Sequence, residues 1–198
     1  MTTQSSERVA VLGSGGWGTA LAVHLGRLGK DVRLWGRDAT LVHEMGVRRM
    51  NQNYLPGVEL PVGVHPTTSL ETALEHALYV VVAIPSHGIR EVMHRAAPFV
   101  PTSTTIVSAV KGLEVGTLRR MSEVIEEEIG MTRPVTVLSG PSFATEVACG
   151  TPTAVLVAGR NSDAVAAVQQ EFRSGYFRIY ASSDVTGVEI GAALKNVI

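Results

Sequence analysis

A glycine-rich segment near the start of the sequence is suited to binding phosphate groups. Residues 13–18, GSGGWG, follow an apolar run at 9–12 and precede a segment with helical spacing. This is the G-x-G-x-x-G pattern between a strand and a helix, in which Gly13 permits a tight turn, Gly15 lets a pyrophosphate approach the backbone, and Gly18 lets the helix pack close to the strand. The start of the helix adds free N–H groups and a positive dipole end. The segment predicts a dinucleotide site.

The end of the next apolar run, residues 32–35, bears on the form of the dinucleotide. In NAD sites a carboxylate at this point holds the ribose 2′-hydroxyl. Here Gly36 takes that place and is followed by Arg37, whose forked guanidinium can pair with a 2′-phosphate. The sequence therefore favours NADP(H) as cofactor over NAD(H). Asp38 could hold a 2′-hydroxyl instead, but we expect it to cap the helix that begins at residue 39.

Three further segments could contact a substrate. SAVKGL (108–113) and SGPSFA (139–144) each follow an apolar run, and GAALKN (191–196) lies in the last predicted helix. Open α/β sheets bind ligands beyond the carboxyl ends of their strands, where Lys111 and Gly140 are expected. Together with the glycine-rich segment, these segments resemble the NAD(P)-dependent glycerol-3-phosphate dehydrogenases of the bacterial soluble type. The resemblance covers the whole chain, because all four motifs agree in order and spacing.

The resemblance implies a role for each motif. Lys195 would be the catalytic acid and base, exchanging a proton with the substrate oxygen while hydride passes between C4 of the nicotinamide and C2 of the substrate. The residues implied to contact the substrate are Lys111, Gly140, Ser142 and Lys195. The residues expected to contact the cofactor, from the glycine pattern and the resemblance, are Gly13, Gly15, Gly16, Trp17, Gly18, Arg37, Lys111 and Ala144. The family commonly has Ser where this chain has Gly16, so one hydroxyl contact to the cofactor phosphates would be missing.

The resemblance also implies the reactants and a further domain. The reactants would be dihydroxyacetone phosphate and sn-glycerol 3-phosphate, serving glycerophospholipid synthesis. A helical substrate domain would follow Ile198 and supply an Arg-Asn pair that grips the substrate phosphate. We therefore expect residues 1–183 to form the dinucleotide-binding domain and residues 184–198, a helix capped by Asp184, to begin a second domain that is truncated here.

The helical setting of Lys195 suits proton transfer. The residues three, four and seven positions earlier, which share its face of a helix, are Ala192, Gly191 and Val188. These small or apolar side chains would leave room for a flat ring and a three-carbon substrate. Their apolar surroundings would also lower the pKa of Lys195 from about 10.4 toward neutrality. The competing interpretation is a lysine on the solvated face of a helix.

Two other functions remain open from the sequence. A β-hydroxyacid dehydrogenase of the 6-phosphogluconate or hydroxyisobutyrate type also pairs this domain with a Lys-bearing helix, but its first loop usually carries Met where this chain has Trp17. A non-catalytic NAD(P)-binding module would end at Ile198. His87, which we expect to line the cofactor cleft, is the alternative proton carrier. His87 and His94 are seven residues apart, and we expect no Cys, Asp or Glu to complete a first shell with them, so no metal site is predicted.

Strands and helices alternate along the chain. Apolar runs predict strands at residues 9–12, 32–35, 79–84, 105–110, 135–138, 154–158 and 177–180. Helical spacing occurs at residues 19–28, 39–50, 89–96, 118–129 and 162–172. Several runs are continuously apolar, as parallel strands covered on both faces require. The pattern predicts an α/β fold with a doubly wound, mostly parallel Rossmann sheet, in which Pro56-Gly57 forms a turn between elements.

Composition narrows the partners. Among 198 residues, 45% are hydrophobic and 18% are charged, which favours a compact globular protein. The formal net charge of −1 leaves no excess of basic residues to bind nucleic acid or an anionic membrane. No apolar run approaches the roughly 18 residues of a membrane span. The single cysteine, Cys149, excludes an intramolecular disulfide, suits a cytoplasmic location, and is expected to be buried. We expect Arg119-Arg120 and residues 126–128 to form a solvated surface. The oligomeric state stays open, a homodimer included.

Overall fold

The computed structural model describes residues 7–194. Its strands are β1 (Arg8–Leu12), β2 (Asp31–Trp35), β3 (Met50–Asn51), β4 (Leu55–Glu59), β5 (Val64–Thr67), β6 (Tyr79–Val82), β7 (Thr105–Ser108), β8 (Val135–Ser139), β9 (Thr153–Gly159) and β10 (Phe177–Ser182). Its helices are α1 (Gly16–Arg27), α2 (Ala39–Arg48), α3 (Leu70–Leu74), α4 (Ile89–Ala96), α5 (Met121–Ile129), α6 (Ala144–Cys149), α7 (Ser162–Phe172) and α8 (Val185–Leu194). Short 3-10 turns at Ser86–Gly88 and Ala97–Phe99 flank α4.

The main sheet of the described part has eight strands in the order β10-β9-β8-β7-β6-β1-β2-β5. Strands β5, β2, β1, β6, β7 and β8 run parallel, β9 is antiparallel to β8, and β10 is parallel to β9. The prediction of a doubly wound, mostly parallel Rossmann sheet is confirmed. The chain leaves β1 toward β2 on one side and returns at β6 on the other, so a topological switch point, where such sheets bind ligands, lies between β1 and β6.

The core lies on both faces of this sheet. Successive residues of β1 alternate between the faces: Val9 and Val11 pack in one apolar cluster with α1 and α2, and Ala10 and Leu12 pack in another with α3, α4 and α5. All of these side chains are fully buried. Full burial of a Val or Leu side chain contributes about 1.5 to 3 kcal/mol before entropy is counted, so the two layers hold the strand ends in place.

The structure differs from the sequence prediction between α2 and β6. Strands β3, β4 and β5 and helix α3 were not predicted, and Pro56-Gly57, predicted as a turn, lies within β4. Gly57 has a φ of 78°, which glycine adopts readily, and Pro66 is accommodated in β5 because that strand is at the sheet edge. The prediction of a buried Cys149 is also wrong, since its position at the end of the short helix α6 leaves it exposed.

Helix α8 is fixed to the rest of the structure by a buried carboxylate. Asp184 caps the helix as predicted, accepting from the Gly187 N–H at 2.7 Å. Glu189, only 3% exposed, accepts hydrogen bonds from the Ser122 N–H (2.9 Å), the Ser122 hydroxyl (2.6 Å) and the Arg120 guanidinium (2.9 Å). The expectation of a solvated surface is therefore wrong for Arg120, because its guanidinium neutralises a charge that burial would otherwise make costly.

None of the helices described between residues 7 and 194 is long and apolar enough to cross a membrane.

His24 connects α1 to the last part of the sheet domain. It is fully buried, and its ring nitrogens lie 2.8 Å from the Tyr176 hydroxyl and 2.6 Å from the Phe172 carbonyl oxygen. The carbonyl can only accept, so the nitrogen that faces it carries the proton in the neutral ring. Burial lowers the pKa of His24 below its usual value of 6.5, although the hydrogen bond to Phe172 opposes this shift.

We expect this histidine to make stability depend on pH. Because the unfolded chain binds a proton near pH 6.5 and the folded chain does so only at lower pH, the stability supplied by neutral His24 is present above 6.5 and is lost as the pH falls below it. The slope can reach about 1.4 kcal/mol per pH unit. Urea unfolding at several pH values should give a flatter dependence for His24→Gln, and the exposed His43→Gln should follow the wild type. Equal slopes in all three proteins would contradict this assignment.

Candidate active site

A cleft of about 560 Å³ lies at the switch point, beyond the carboxyl ends of β1, β2, β6 and β7. This volume is in the usual range for a small-molecule site. Its lining includes most of the residues that the sequence singled out: Gly13, Gly15, Gly16, Trp17, Arg37, His87, Lys111, Ser142 and Ala144. Residues from five separate loops therefore meet in one cavity because parallel strands end at the same edge of the sheet.

The glycine-rich loop at residues 13–18 packs too closely for side chains at three positions, Gly13, Gly16 and Gly18. Gly13 has a φ of 124°, and a Cβ there would overlap the Ala83 backbone at the end of β6. A Cβ on Gly18 would overlap the Gly13 carbonyl oxygen, so Gly18 lies beneath the loop and does not line the cleft. Gly15 differs, because a Cβ built there meets nothing within 4 Å. The backbone of Gly15 faces open space, which fits the close approach of a dinucleotide pyrophosphate.

Trp17 ties the loop to the neighbouring side of the cleft. Its indole N–H donates to the Ala109 carbonyl oxygen at 3.1 Å, just beyond the end of β7. A half-buried Trp needs such a partner for its only donor, and the bond fixes the ring between the loop and β7. Trp17 therefore forms a rigid wall of the cleft.

The end of β2 has no room for a carboxylate. A Cβ on Gly36 would overlap the Ser14 side chain and lie 2.9 Å from Cγ2 of Val42, so an acidic side chain there would displace the glycine-rich loop. Asp38 caps α2, as predicted, by accepting from the N–H groups of Thr40 (2.9 Å) and Leu41 (3.1 Å). Arg37 is exposed and lines the cleft. The Asp38 carboxylate is thus engaged by the helix, and Arg37 is the charged residue of this loop that lines the cavity without a role as a cap.

Lys111 lies in the loop after β7, and this loop is held by ion pairs. Its neighbour Gly112 has a φ of 113°, and Glu114, three residues after Lys111, receives both arms of the Arg90 guanidinium at 2.7 and 2.9 Å. The hydrogen bonds from Arg90 lower the pKa of Glu114 to about 2, so this carboxylate is charged at neutral pH. Arg90 also donates to Glu128 of α5 at 2.6 Å. The loop is therefore fastened to α4 and α5, and Lys111 is half-buried at the cleft.

The loop after β8 contributes Ser142, Phe143 and Ala144 to the cleft, but not Gly140. A Cβ on Gly140 would lie 2.9 Å from the Ala154 carbonyl oxygen and 2.9 Å from Cα of Val155, so close packing against β9 already requires glycine there. Lys195 lies outside the described residues.

Sequence analysis missed Tyr54, which lines the cleft, and Asn51, which lies behind the glycine-rich loop. Tyr54 lines the cavity with a half-exposed ring, and Asn51, which is fully buried, holds the glycine-rich loop from behind. Both belong to the segment between α2 and β5, where β3 has only two residues and β4 contains Pro56 and Gly57, so no periodic pattern marks the segment. Nothing in the local sequence indicated that Asn51 or Tyr54 belongs to the site.

Comparison with known proteins identifies the family. Residues 8–165 match the sequence profile described as NAD-dependent glycerol-3-phosphate dehydrogenase N-terminus. A protein of Thioalkalivibrio sulfidiphilus named glycerol-3-phosphate dehydrogenase (NAD(P)+) is 43% identical over 98% of this chain and 58% of its own length. A Mycobacterium tuberculosis protein named glycerol-3-phosphate dehydrogenase (NAD(P)+) 2 is 45% identical over 96% of this chain and 57% of its own length. The chain thus spans less than two thirds of these relatives.

Solved structures agree with the sequence relatives. The glycerol-3-phosphate dehydrogenase of Coxiella burnetii superposes with a TM-score of 0.92 at 38% identity, covering 97% of this chain and 58% of that one. The yeast glycerol-3-phosphate dehydrogenase superposes with a TM-score of 0.85 at 27% identity, covering 97% of this chain and 61% of that one. The chain therefore belongs to the NAD-dependent glycerol-3-phosphate dehydrogenase family and matches its N-terminal part.

Proposed function

We propose that this chain is the cofactor-binding part of an oxidoreductase that interconverts sn-glycerol 3-phosphate and dihydroxyacetone phosphate with NAD(P)(H), supplying glycerophospholipid synthesis. One observation carries the proposal: the cleft at the switch point brings the glycine-rich loop, Arg37, Lys111 and Ser142 together. The family match supports it, since the relatives are named for this activity.

The proposed division of the chain follows from its length. The chain spans about 58% of the Thioalkalivibrio relative, and we expect the activity of the whole enzyme to depend also on the part of that relative outside the match. We assign residues 1–183 to the dinucleotide-binding domain and 184–198 to the beginning of a substrate domain. The proposed boundary lies where Asp184 caps α8, and Glu189 joins that helix to the first domain.

Each cleft residue has a proposed part in holding the cofactor. The pyrophosphate is bound by the backbone at Gly15 and Gly16 and by the start of α1. Other parts of the cofactor contact Trp17 and Ala144. Arg37 pairs with a 2′-phosphate, which makes NADP(H) the preferred form over NAD(H). When bound, the nicotinamide supplies or accepts the hydride. The remaining work of this chain is to orient the reactants and to exclude water.

The substrate would lie against the loops after β7 and β8. Lys111 provides an ammonium group for a phosphate or carbonyl oxygen, and Ser142 provides a hydroxyl. The family resemblance gives Lys195 the proton transfer at the substrate oxygen, and Lys195 follows directly after α8 in the sequence. Gly140, whose packing against β9 accounts for its identity, would contribute its backbone only.

Location and assembly are part of the proposal. We place the enzyme in the cytoplasm, which suits a chain with one cysteine and with phosphorylated reactants. The oligomeric state stays open, a homodimer included.

The two alternative functions have less support. A β-hydroxyacid dehydrogenase would not be expected to give identities of 43% and 45% to proteins named glycerol-3-phosphate dehydrogenase. A non-catalytic module would have no need for Lys111 and Ser142 beside the cofactor cleft.

The first test concerns cofactor preference. Arg37→Ala should raise the Kd for NADPH by roughly 10- to 100-fold, because a charge-assisted pair to the 2′-phosphate contributes about 1.5 to 3 kcal/mol. The Kd for NADH should change little. Fluorescence titration of residues 1–198 measures both, with Arg173→Ala as a control, since Arg173 is exposed and lies far along the chain from the cleft lining. Equal NADPH affinity of Arg37→Ala and wild type would remove the basis for an NADP(H) preference.

The second test concerns the two lysines, Lys111 and Lys195. It uses a fusion of residues 1–198 with the C-terminal part of one of the full-length relatives. Lys195→Met should lower kcat by roughly 10²- to 10⁴-fold, the range for losing general acid catalysis, with little change in cofactor affinity. Lys111→Met should raise KM as well, because a charge contact to the ligand is lost. The pH profile of kcat/KM should lose one ionisation in the Lys195 variant and keep it in the Lys111 variant. A normal kcat and pH profile for Lys195→Met would point to another acid, His87 first.

The third test separates the chain from the whole enzyme. Residues 1–198 alone should oxidise NADPH with dihydroxyacetone phosphate at a negligible rate, because the resemblance places the phosphate-gripping Arg-Asn pair beyond Ile198. The loss of NADPH absorbance measures this rate. A rate near that of a full-length relative would show that the phosphate site lies within this chain.

A further inference from the structure

Asn51 makes an unusual set of contacts behind the glycine-rich loop. It is 0% exposed, and its side-chain N–H₂ group donates to the Ser14 carbonyl oxygen at 2.9 Å and to the Thr19 hydroxyl at 2.8 Å. Its side-chain oxygen accepts from the Tyr54 N–H at 3.2 Å. One buried amide thus joins the loop, helix α1 and the segment before β4.

The bond to Ser14 determines which way the next N–H points. The peptide bonds of the described residues are all trans, and in a trans peptide the C=O and the following N–H point in opposite directions. Because Asn51 holds the Ser14 carbonyl inward, the N–H of Gly15 is directed away from Asn51. Gly15 is the loop position that faces open space in the cleft. The orientation of its N–H is therefore fixed by a residue that does not itself line the cleft.

The same segment limits the other side of the loop. A Cβ on Gly16 would lie 2.9 Å from the Tyr54 carbonyl oxygen, so the chain at residues 51–54 packs directly against the first residue of α1. The Tyr54 N–H is bound to Asn51, which holds the Tyr54 backbone at this distance. Loop and segment thus form one hydrogen-bonded unit.

We propose that Asn51 is a positioning residue of the cofactor site, which holds the Ser14–Gly15 peptide so that the Gly15 N–H is directed at the cofactor pyrophosphate. This inference rests on the proposed binding of NADP(H). It assigns a role in binding to a segment outside the main sheet. It also distinguishes two parts of the cleft: Arg37 binds the 2′-phosphate, and Asn51 orients the loop that binds the pyrophosphate.

The test compares two ligands in residues 1–198. NADPH contains the pyrophosphate, whereas adenosine 2′-monophosphate has only the adenosine and the 2′-phosphate. The variant Asn51→Leu removes the amide without adding charge near the phosphates. It should raise the Kd for NADPH by roughly tenfold or more, since one charge-assisted hydrogen bond is misdirected, and leave the Kd for adenosine 2′-monophosphate nearly unchanged. Arg37→Ala should weaken both ligands.

Thr104→Val is the matched control for lost stability. Thr104 is also fully buried and donates to a backbone carbonyl, that of Ala77, at 2.6 Å, and it precedes β7 at the sheet edge opposite the cleft. This variant should be destabilised and yet bind NADPH as the wild type does. If Asn51→Leu weakens both ligands by the same factor, or neither, the positioning role is overturned.

A measurement on the wild type covers the case in which Asn51→Leu does not fold. In ¹⁵N-labelled protein, the Gly15 amide signal should shift on addition of NADPH and stay in place on addition of adenosine 2′-monophosphate. If NADPH binds and the Gly15 amide signal does not shift, the inference is overturned, but the proposal that NADPH is the cofactor still stands. Failure of the wild type to bind either ligand would instead refute the proposed function, and the inference with it.

Discussion

Close backbone packing at the switch point between β1 and β6 is the constraint on which the rest of this structure depends. At Gly13, Gly18 and Gly36 a single added carbon atom would overlap a neighbouring strand end, the loop itself or Ser14. Because these positions have no side chains, the first turn after β1 packs directly against the end of β6, and helix α1 begins within the same segment, at Gly16. An anion in the cleft then faces backbone N–H groups and the positive end of a helix dipole.

The remaining parts of the cleft are held by contacts that reach across elements. The indole of Trp17 bonds to the Ala109 carbonyl, the guanidinium of Arg90 fastens the loop that begins at Lys111, and the carboxylate of Glu189 anchors α8. Each of these contacts joins segments far apart in sequence; the first two fix loops at the carboxyl edge of the sheet, and the third fixes a helix. Loops that carry ligand-binding residues are thereby kept rigid enough to act together, as a preorganised site requires.

The parts of the fold that could be predicted are those with a repeating pattern. Continuous apolar runs located the strands of the sheet centre, and the glycine pattern in a strand-to-helix context located the cleft. The small β3–β4 pair could not be predicted, because Met50–Asn51 is too short for a period and β4 contains Pro56 and Gly57, which ordinarily indicate a turn. Contacts between residues far apart in sequence could not be predicted either. Nothing in the sequence around Arg120 indicates that it pairs with a buried Glu189 sixty-nine residues later. Asn51 was missed for the same reason, since Ser14 and Thr19, which accept from its side-chain N–H₂ group, lie 37 and 32 residues earlier in the chain.

The central claim is that the carboxyl-edge cleft is a dinucleotide site organised by the glycine-rich loop. A crystal structure of residues 1–198 with NADPH tests it most directly. The account predicts the pyrophosphate within hydrogen-bond distance of the backbone N–H of Gly15, and the 2′-phosphate beside the guanidinium of Arg37. NADPH bound elsewhere, or in this cleft with its pyrophosphate away from the loop at residues 13–18, would contradict the account.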